Sequence, residues 1–223
     1  MGDTSGDISR DAIRAMRRSY GEVGLEALSQ DPLAAFANWL KEASENPFIV
    51  EANAMVLSTL GAEENISTRT VLLKDISDGG FTFFTNYSSR KAHAIELNPR
   101  VSVLFPWYAM ERQVSISGDA SKIAAAESVE YFASRPWSSQ IGAWASAQSA
   151  PLSSREELEQ RFAGAAAKWP EGTTVPKPDH WGGYRIEPVS IEFWQGRYSR
   201  LHDRLRYERS NSQTKWEITR YYP

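Results

Sequence analysis

The sequence predicts a mainly β, α+β fold: an antiparallel barrel carrying peripheral helices. Three observations lead there. Short apolar or β-branched runs are joined by hairpin-length turns, of which Asp78-Gly79-Gly80 is the clearest. Helical segments fall between groups of strands instead of alternating with them one for one, so no chain of βαβ units is expected. Neither a GxGxxG turn nor a Walker loop is present, which sets aside a doubly wound nucleotide fold. With 223 residues, 41% of them hydrophobic, the chain is long enough to bury one substantial core. It reads as a single domain, 1–223, whose first 30 residues are polar with scattered apolar positions.

Each element has a local reason. Residues Arg10 to Arg18 suggest a short helix. Asp31-Pro32 supplies a capping carboxylate and a proline suited to the first helical position. Leu33, Phe36, Ala37 and Leu40 then repeat at helical spacing to about Ala43, with Trp39 beside the stripe, until Asn46-Pro47. Strands are expected over Ala54–Leu60, Ser67–Lys74 and Phe81–Thr85. Ser88-Ser89 caps a helix to Leu97, closed by Asn98-Pro99, and Arg100–Trp107 and Arg112–Ile123 are longer strands. Ala124–Ser134 is helical, Pro136 interrupts it, and Ser138-Ser139 opens a second helix toward Ala143. Ser153 with Glu156 forms a capping box for a helix to about Lys168. A proline-rich surface loop over Pro170–Pro178 leads to strands Tyr184–Trp194, Leu201–Arg209 and Lys215–Tyr221.

Composition removes several function classes. Cysteine is absent, so disulfides, thiol catalysis and Cys-ligated metals are excluded. The three histidines, His93, His180 and His202, are too scattered for a metal cluster, and no metal is expected. A net charge of −3 argues against a nucleic-acid partner. The longest apolar run, Val103–Met110, contains Pro106 and falls far short of the ~20 residues of a spanning helix, so no membrane role is expected. The N-terminus lacks the apolar core of a secretory signal, and the expected address is cytoplasmic. No GxSxG or HExxH motif occurs.

What remains is a set of unevenly placed cations, which in an acidic chain points to small anionic ligands. Strand parity puts Arg69 and Lys74 on opposite faces, as the charged ends of an edge strand or as contacts to two different groups. Ser88-Ser89-Arg90-Lys91 brings hydroxyls, cations and free helix amides together. Cations in a first turn oppose the helix dipole, so the motif suits either a bound phosphate or a plain capped helix. Tyr131 and Arg135, four apart on one helix, with Ser139 beyond Pro136, form a second candidate anion site or a polar helix surface. The pleat of a strand from Leu201 would align Arg200, His202 and Arg204 on one face, with Trp194 available to stack on a ring.

These residues lie within longer motifs: RTVLLK (69–74), FFTNYSSRKAHAIELNPR (83–100), LFPWYAMERQV (104–114), YFASRPWSSQIGAWASAQS (131–149) and WGGYRIEPVSIEFWQGRYSRLHDR (181–204). In this order they resemble the pyridoxamine 5'-phosphate oxidase family, over nearly the whole chain from RRSY (17–20) onward. The resemblance implies a homodimeric, FMN-binding split β-barrel with FMN at the subunit interface. It implies oxidation of pyridoxine 5'-phosphate or pyridoxamine 5'-phosphate to pyridoxal 5'-phosphate, with O2 reduced to hydrogen peroxide and ammonia released from the amine. By position, Arg69, Arg90 and Lys91 match contacts to the FMN phosphate. Thr70, Val71, Leu72, Leu73, Lys74, Phe84, Thr85, Gln113, Gln148, Ser149, Trp194 and Arg204 match other cofactor contacts. Lys74, Tyr131, Arg135 and Ser139 match the grip on the substrate phosphate, and Arg200, Leu201 and His202 match contacts to its ring, Arg200 and His202 being the catalytic pair. Arg17 and Tyr20 match an N-terminal segment that closes over the site in some members, so the resemblance implies that residues 1–30 form a mobile arm or lid. Phe84 stands where some relatives have tyrosine, and Arg220-Tyr221-Tyr222-Pro223 departs from the usual RLxP ending. The competing expectations are a flavin enzyme of the phenazine-pathway type on the same barrel and a flavin or vitamer carrier without catalysis.

Overall fold

The computed structural model describes residues 9–16, 19–25, 28–211 and 213–223. Helix α1 (Arg10–Ala15) starts where the Ser9 hydroxyl accepts from the Ala12 N–H at 3.1 Å. It ends before Arg17 and Arg18, which lie outside the described residues. In α2 (Pro32–Glu45) the Asp31 carboxylate accepts from the Leu33 N–H at 2.9 Å, with Pro32 at the first position as expected. Its buried face is Ala35, Phe36, Trp39 and Ala43, rotated from the expected stripe, and Ala37 is exposed. The reason is aromatic packing: Trp39 meets Phe193 edge-on at 5.1 Å, and Phe36 meets Phe81 at 5.0 Å and Phe105 at 4.8 Å.

The strands are β1 (Ala54–Leu60), β2 (Ile66–Leu72), β3 (Asp75–Ser77), β4 (Gly80–Asn86), β5 (Arg100–Trp107), β6 (Arg112–Lys122), β7 (Trp181–Gln195), β8 (Asp203–Glu208) and β9 (Glu217–Tyr221). Between them lie α3 (Arg90–Leu97), α4 (Ala125–Ser134), α5 (Trp137–Ala145) and α6 (Arg155–Lys168). The sheet is antiparallel throughout, ordered β2-β1-β5-β6-β7-β4-β3, with β8 on β7 and β9 on β8. This hydrogen-bonded path is open. The β3–β4 turn uses Asp78 and Gly79 at φ 49° and 76°, the left-handed pair that a tight hairpin needs. β7 organises the rest: its first part, Trp181–Ile186, pairs with β4, and its last part, Ser190–Gln195, pairs with β8.

Several boundaries differ from the sequence reading. β2 stops at Leu72, because the Leu73 N–H turns to the Asn53 carbonyl and the Lys74 N–H to the Thr82 carbonyl, both at 2.8 Å. The cap of α6 is Ser154, whose hydroxyl accepts from the Glu157 N–H at 3.2 Å; Glu157 in turn accepts from Ser153, so the box lies one residue later than expected. β8 begins at Asp203, since Tyr198–Arg200 form a 3-10 turn with Ser199 and Arg200 at φ 56° and 62°. The expected strand face carrying Arg200, His202 and Arg204 therefore does not form.

One core fills the sheet's interior, from Met55 and Leu57 through Phe105 and Ile116 to Phe193 and Tyr207. A second, of Phe132, Ile141, Val175 and Trp181, joins α4, α5 and α6 to the start of β7. At Gly118 the β6–β7 register shifts opposite Pro188. A Cβ at Gly118 would meet the Glu187 carbonyl oxygen, its carbon at 2.8 Å and Pro188 Cα at 2.9 Å, all backbone. Gly118→Ala should therefore cost about 2 kcal/mol by forced backbone displacement, read as a lower urea midpoint at unchanged slope.

Candidate active site

Arg69 leaves β2 toward β1. Its guanidinium donates to the Leu57 carbonyl at 3.1 Å, the Thr59 hydroxyl at 2.9 Å and the Ser67 hydroxyl. Facing it, Ser89 caps α3 and Lys91 turns inward from the first turn. The Lys91 ammonium donates to Gln148 Oε1 at 2.7 Å, Thr85 Oγ1 at 3.1 Å and Ser89 Oγ at 3.4 Å, while Thr85 donates to Gln148 Oε1 at 3.0 Å. Burial, and then the charge of Arg69, lowers the Lys91 pKa to about 8. Burial and the neighbouring Arg90 lower that of Arg69 as well.

Arg135 enters the same space from the α4–α5 junction. Gln140 Nε2 donates to the carbonyls of Phe132, Ala133 and Arg135 and so fixes that turn. The Arg135 guanidinium lies 4.7 Å from the Trp181 ring, and its Nη1 is buried with no hydrogen-bond partner. Tyr131 stacks on Phe84 at 4.0 Å, and Phe84 stacks on Trp181 at 5.2 Å. The Phe84 contact is thus made through its ring.

Together these groups line a cavity of about 1000 Å³. Of the expected residues, Arg69, Thr70, Val71, Leu72, Lys74, Phe84, Thr85, Arg90, Lys91, Tyr131, Arg135, Ser139, Gln148 and Ser149 border it. Arg69 and Lys74 therefore face one space, because the chain bends after Leu72. The Leu73 side chain is in the core. Five cations line the cavity and no carboxylate does, and none of the five is ion-paired among the described residues. Asn86 and Trp181 also border it and were missed from sequence. Asn86 accepts from the Ser88 N–H at 2.7 Å and donates to the Ser146 carbonyl at 3.3 Å, a junction role that an asparagine just before a capped helix signals.

The remaining expected residues gather at the other end of β7. Gln113, Trp194 and Arg204 are direct cross-strand neighbours on β6, β7 and β8. Arg204 grips Glu192 with Nε at 3.0 Å and Nη2 at 2.9 Å, and Arg206 adds a bond at 2.9 Å. Burial opposes ionisation of Glu192, but the two arginines prevail and lower its pKa. The His202 ring lies 4.7 Å from Trp194, and Tyr20 stands edge-on to both, at 5.4 Å from His202 and 5.8 Å from Trp194. His202 Nδ1 accepts from the Arg197 N–H at 3.0 Å, so the neutral ring carries its proton on Nε2. Burial, then the Arg200 charge, lowers its pKa. Tyr20, Arg200 and His202 line a hollow of about 490 Å³, with Leu201 exposed beside it. Arg17 lies outside the described residues. From Trp181 to Trp194 the strand runs up to about 40 Å, and within one chain the two groups line separate hollows. Among the described residues no three His, Asp or Glu side chains are grouped to hold a metal.

Residues 42–168 match the sequence profile of the family described as pyridoxamine 5'-phosphate oxidase, and residues 181–223 match the pyridoxine 5'-phosphate oxidase C-terminal dimerisation region. The chain is 48% identical over 217 residues to a protein of Rubrobacter xylanophilus named pyridoxine/pyridoxamine 5'-phosphate oxidase, covering 96% of this chain and 98% of that one. A protein of the same name in Rippkaea orientalis is 49% identical over 213 residues, covering 95% and 99%. Among solved structures, PhzG from Burkholderia lata, in complex with tetrahydrophenazine-1-carboxylic acid, superimposes with a TM-score of 0.81 at 32% identity over 87% of this chain and 94% of that one. A pyridoxamine 5'-phosphate oxidase-related, FMN-binding protein from Nostoc punctiforme shares the fold at a TM-score of 0.69 and 17% identity, over 88% of this chain and 100% of that one.

The lowered pKa of Lys91 has a signed consequence. Between about pH 8 and its unfolded value near 10.5 the unfolded chain binds more protons than the folded one, so this group's penalty fades as pH rises. The stability of the anion-free protein relative to Lys91→Met should increase over that window, in urea titrations at a series of pH values. Inorganic phosphate in the cavity should flatten the increase by supplying the missing countercharge.

Proposed function

The chain belongs to the pyridoxamine 5'-phosphate oxidase family, and we propose on that premise that it oxidises pyridoxine 5'-phosphate and pyridoxamine 5'-phosphate to pyridoxal 5'-phosphate with FMN as cofactor. The observation that carries this reading is the cavity of five cations without a lining carboxylate, where the buried Arg135 Nη1 is still without an acceptor. That donor set suits two phosphate monoesters. Arg69, Arg90 and Lys91, backed by Thr85 and Gln148, would hold the FMN phosphate; Lys74, Tyr131, Arg135 and Ser139 would hold that of the substrate. The bound flavin supplies a two-electron acceptor. O2 would be the final acceptor, giving hydrogen peroxide, and the amine substrate would also consume water and release ammonia.

The protein's part is placement. Neither phosphate reacts; each acts as a handle that turns encounter into a held geometry. Arg200 and the His202 Nε2–H would donate across the substrate ring, fixing it and steadying charge that develops at the C4' substituent. These two residues sit at the far end of β7 from the cavity, so we assign each complete site to two chains: the cavity of one protomer and the Trp194–His202 end of its partner. The match to a dimerisation region supports this. The whole of 1–223 then serves as one FMN-binding unit per protomer. The phosphate-gripping set disfavours a phenazine-type substrate, which carries no phosphate for Lys74 and Arg135 to hold.

Anaerobic addition of pyridoxine 5'-phosphate to the FMN-loaded protein should bleach the flavin absorbance; an unchanged spectrum would rule this reading out. Mixing refolded Arg135→Leu and His202→Asn chains, each nearly inactive alone, should restore about a quarter of wild-type sites, because each mixed dimer of C2 symmetry contains one intact site. No recovery would place both residues in the same chain's site.

A further inference from the structure

The Asp203 carboxylate is a junction of three segments, and its side chain is only 15% exposed. Its Oδ2 accepts from the Leu25 N–H at 2.9 Å and from Arg197 Nη1 at 3.4 Å, and its Oδ1 accepts from Arg220 Nη1 at 2.5 Å. Arg220 Nη2 in turn donates to the Leu25 carbonyl at 3.1 Å. Both backbone groups of Leu25 are thus held by a carboxylate and a guanidinium that are paired with each other. Arg197 is fixed at both ends, its side chain on Asp203 and its N–H on His202 Nδ1.

The same segment is tied a second time, where the Tyr198 N–H donates to the Gly21 carbonyl at 3.0 Å. Gly24 lets it come close: a Cβ there would lie 3.2 Å from Arg197 Nη1 and 3.3 Å from Asp203 Oδ2. Ser199 and Arg200 keep left-handed backbone conformations without being glycine, which persists only where surroundings over-determine it. The surroundings in question are these ties.

We infer that Asp203 is a positioning residue: it latches segment 19–25 onto the 196–202 loop, so that Tyr20, Arg200 and His202 form one surface for the substrate ring. The inference rests on the proposed role of those three residues. Asp203 itself touches no reacting atom and acts through Leu25, Arg197 and Arg220.

The test uses FMN-loaded dimer carrying Asp203→Ala, Asp203→Asn or Gly24→Val, the last of which opens the junction without altering the carboxylate. Amide exchange at Leu25 should speed up about tenfold in Asp203→Ala, the weight of one charge-assisted hydrogen bond, and by less in Asp203→Asn, which keeps a carbonyl acceptor. KM for pyridoxine 5'-phosphate should rise about tenfold and kcat should fall with it, because Arg200 and His202 also steady the charge that develops at C4', while FMN stays bound. Gly24→Val should reproduce both effects. Unchanged Leu25 exchange, faster exchange spread evenly over the sheet, or faster Leu25 exchange with an unaltered KM would each overturn the latch. Exchange needs no turnover, so a wild type that failed to oxidise the vitamer would sink the reading of the site while leaving the latch to be judged on Leu25.

Discussion

The constraint on which everything else depends is electrostatic: five cations share one cavity with no lining carboxylate. Burial imposes a desolvation cost that lowers the pKa values of Lys91, Arg69 and Arg135, and a neighbouring cation adds to it for Lys91 and Arg69. A fold keeps such an arrangement only if other interactions offset it. Here the offsets are local and neutral: the Thr59 and Ser67 hydroxyls under Arg69, and the Thr85–Gln148 pair under Lys91. Because these supports are dipoles and not carboxylates, they orient the cations without cancelling them. The field therefore stays available to a dianion.

The second constraint is the length of β7. A strand that begins in the helical core at Trp181 and ends beside His202 separates two halves of a chemical constellation more effectively than any loop could. Antiparallel pairing with β4 at one end and β8 at the other holds both ends in register, so the separation is rigid. The proposed two-chain site answers that separation, since a twofold axis would provide both missing halves at once. On this view dimerisation is part of building the site and not merely a source of stability.

The sequence revealed features that depend on neighbours within a few residues. Asp31-Pro32, Asp78-Gly79 and Ser89 act through hydrogen bonds and dihedral preferences that span at most four positions, and they appear where expected. The convergence of Tyr131, Arg135 and Ser139 was equally local, being set by one helix, one proline and the next helix. Features decided by distant partners were not legible. Trp39 takes the buried face of α2 because Trp107 and Phe193 lie across from it. β8 starts late because Tyr198–Arg200 fold into a 3-10 turn, which leaves Arg200 in a left-handed conformation instead of a pleat, beside the contacts of Asp203 with Leu25, Arg197 and Arg220. That His202 and Arg135 lie beside opposite ends of β7 follows only from how that strand is paired.

The two proposed phosphate sites also differ in how far they are organised before anything binds, and the difference matches what each must do. Arg69 and Lys91 each make three hydrogen bonds to the protein, so a phosphate arriving between them meets donors whose ordering cost has already been met by folding. Arg135 has a buried Nη1 with no partner and is braced mainly by the Trp181 ring. A ligand there gains a hydrogen bond that the protein's own atoms do not supply to Arg135 Nη1, but part of that gain is spent on ordering a less constrained side chain. Preorganisation favours retention, and its absence favours exchange. A resident cofactor needs the first and a product that must leave on every turnover needs the second, so the unequal bracing of the two sites is itself a reason to place FMN against Arg69 and Lys91 and the vitamin ester against Arg135.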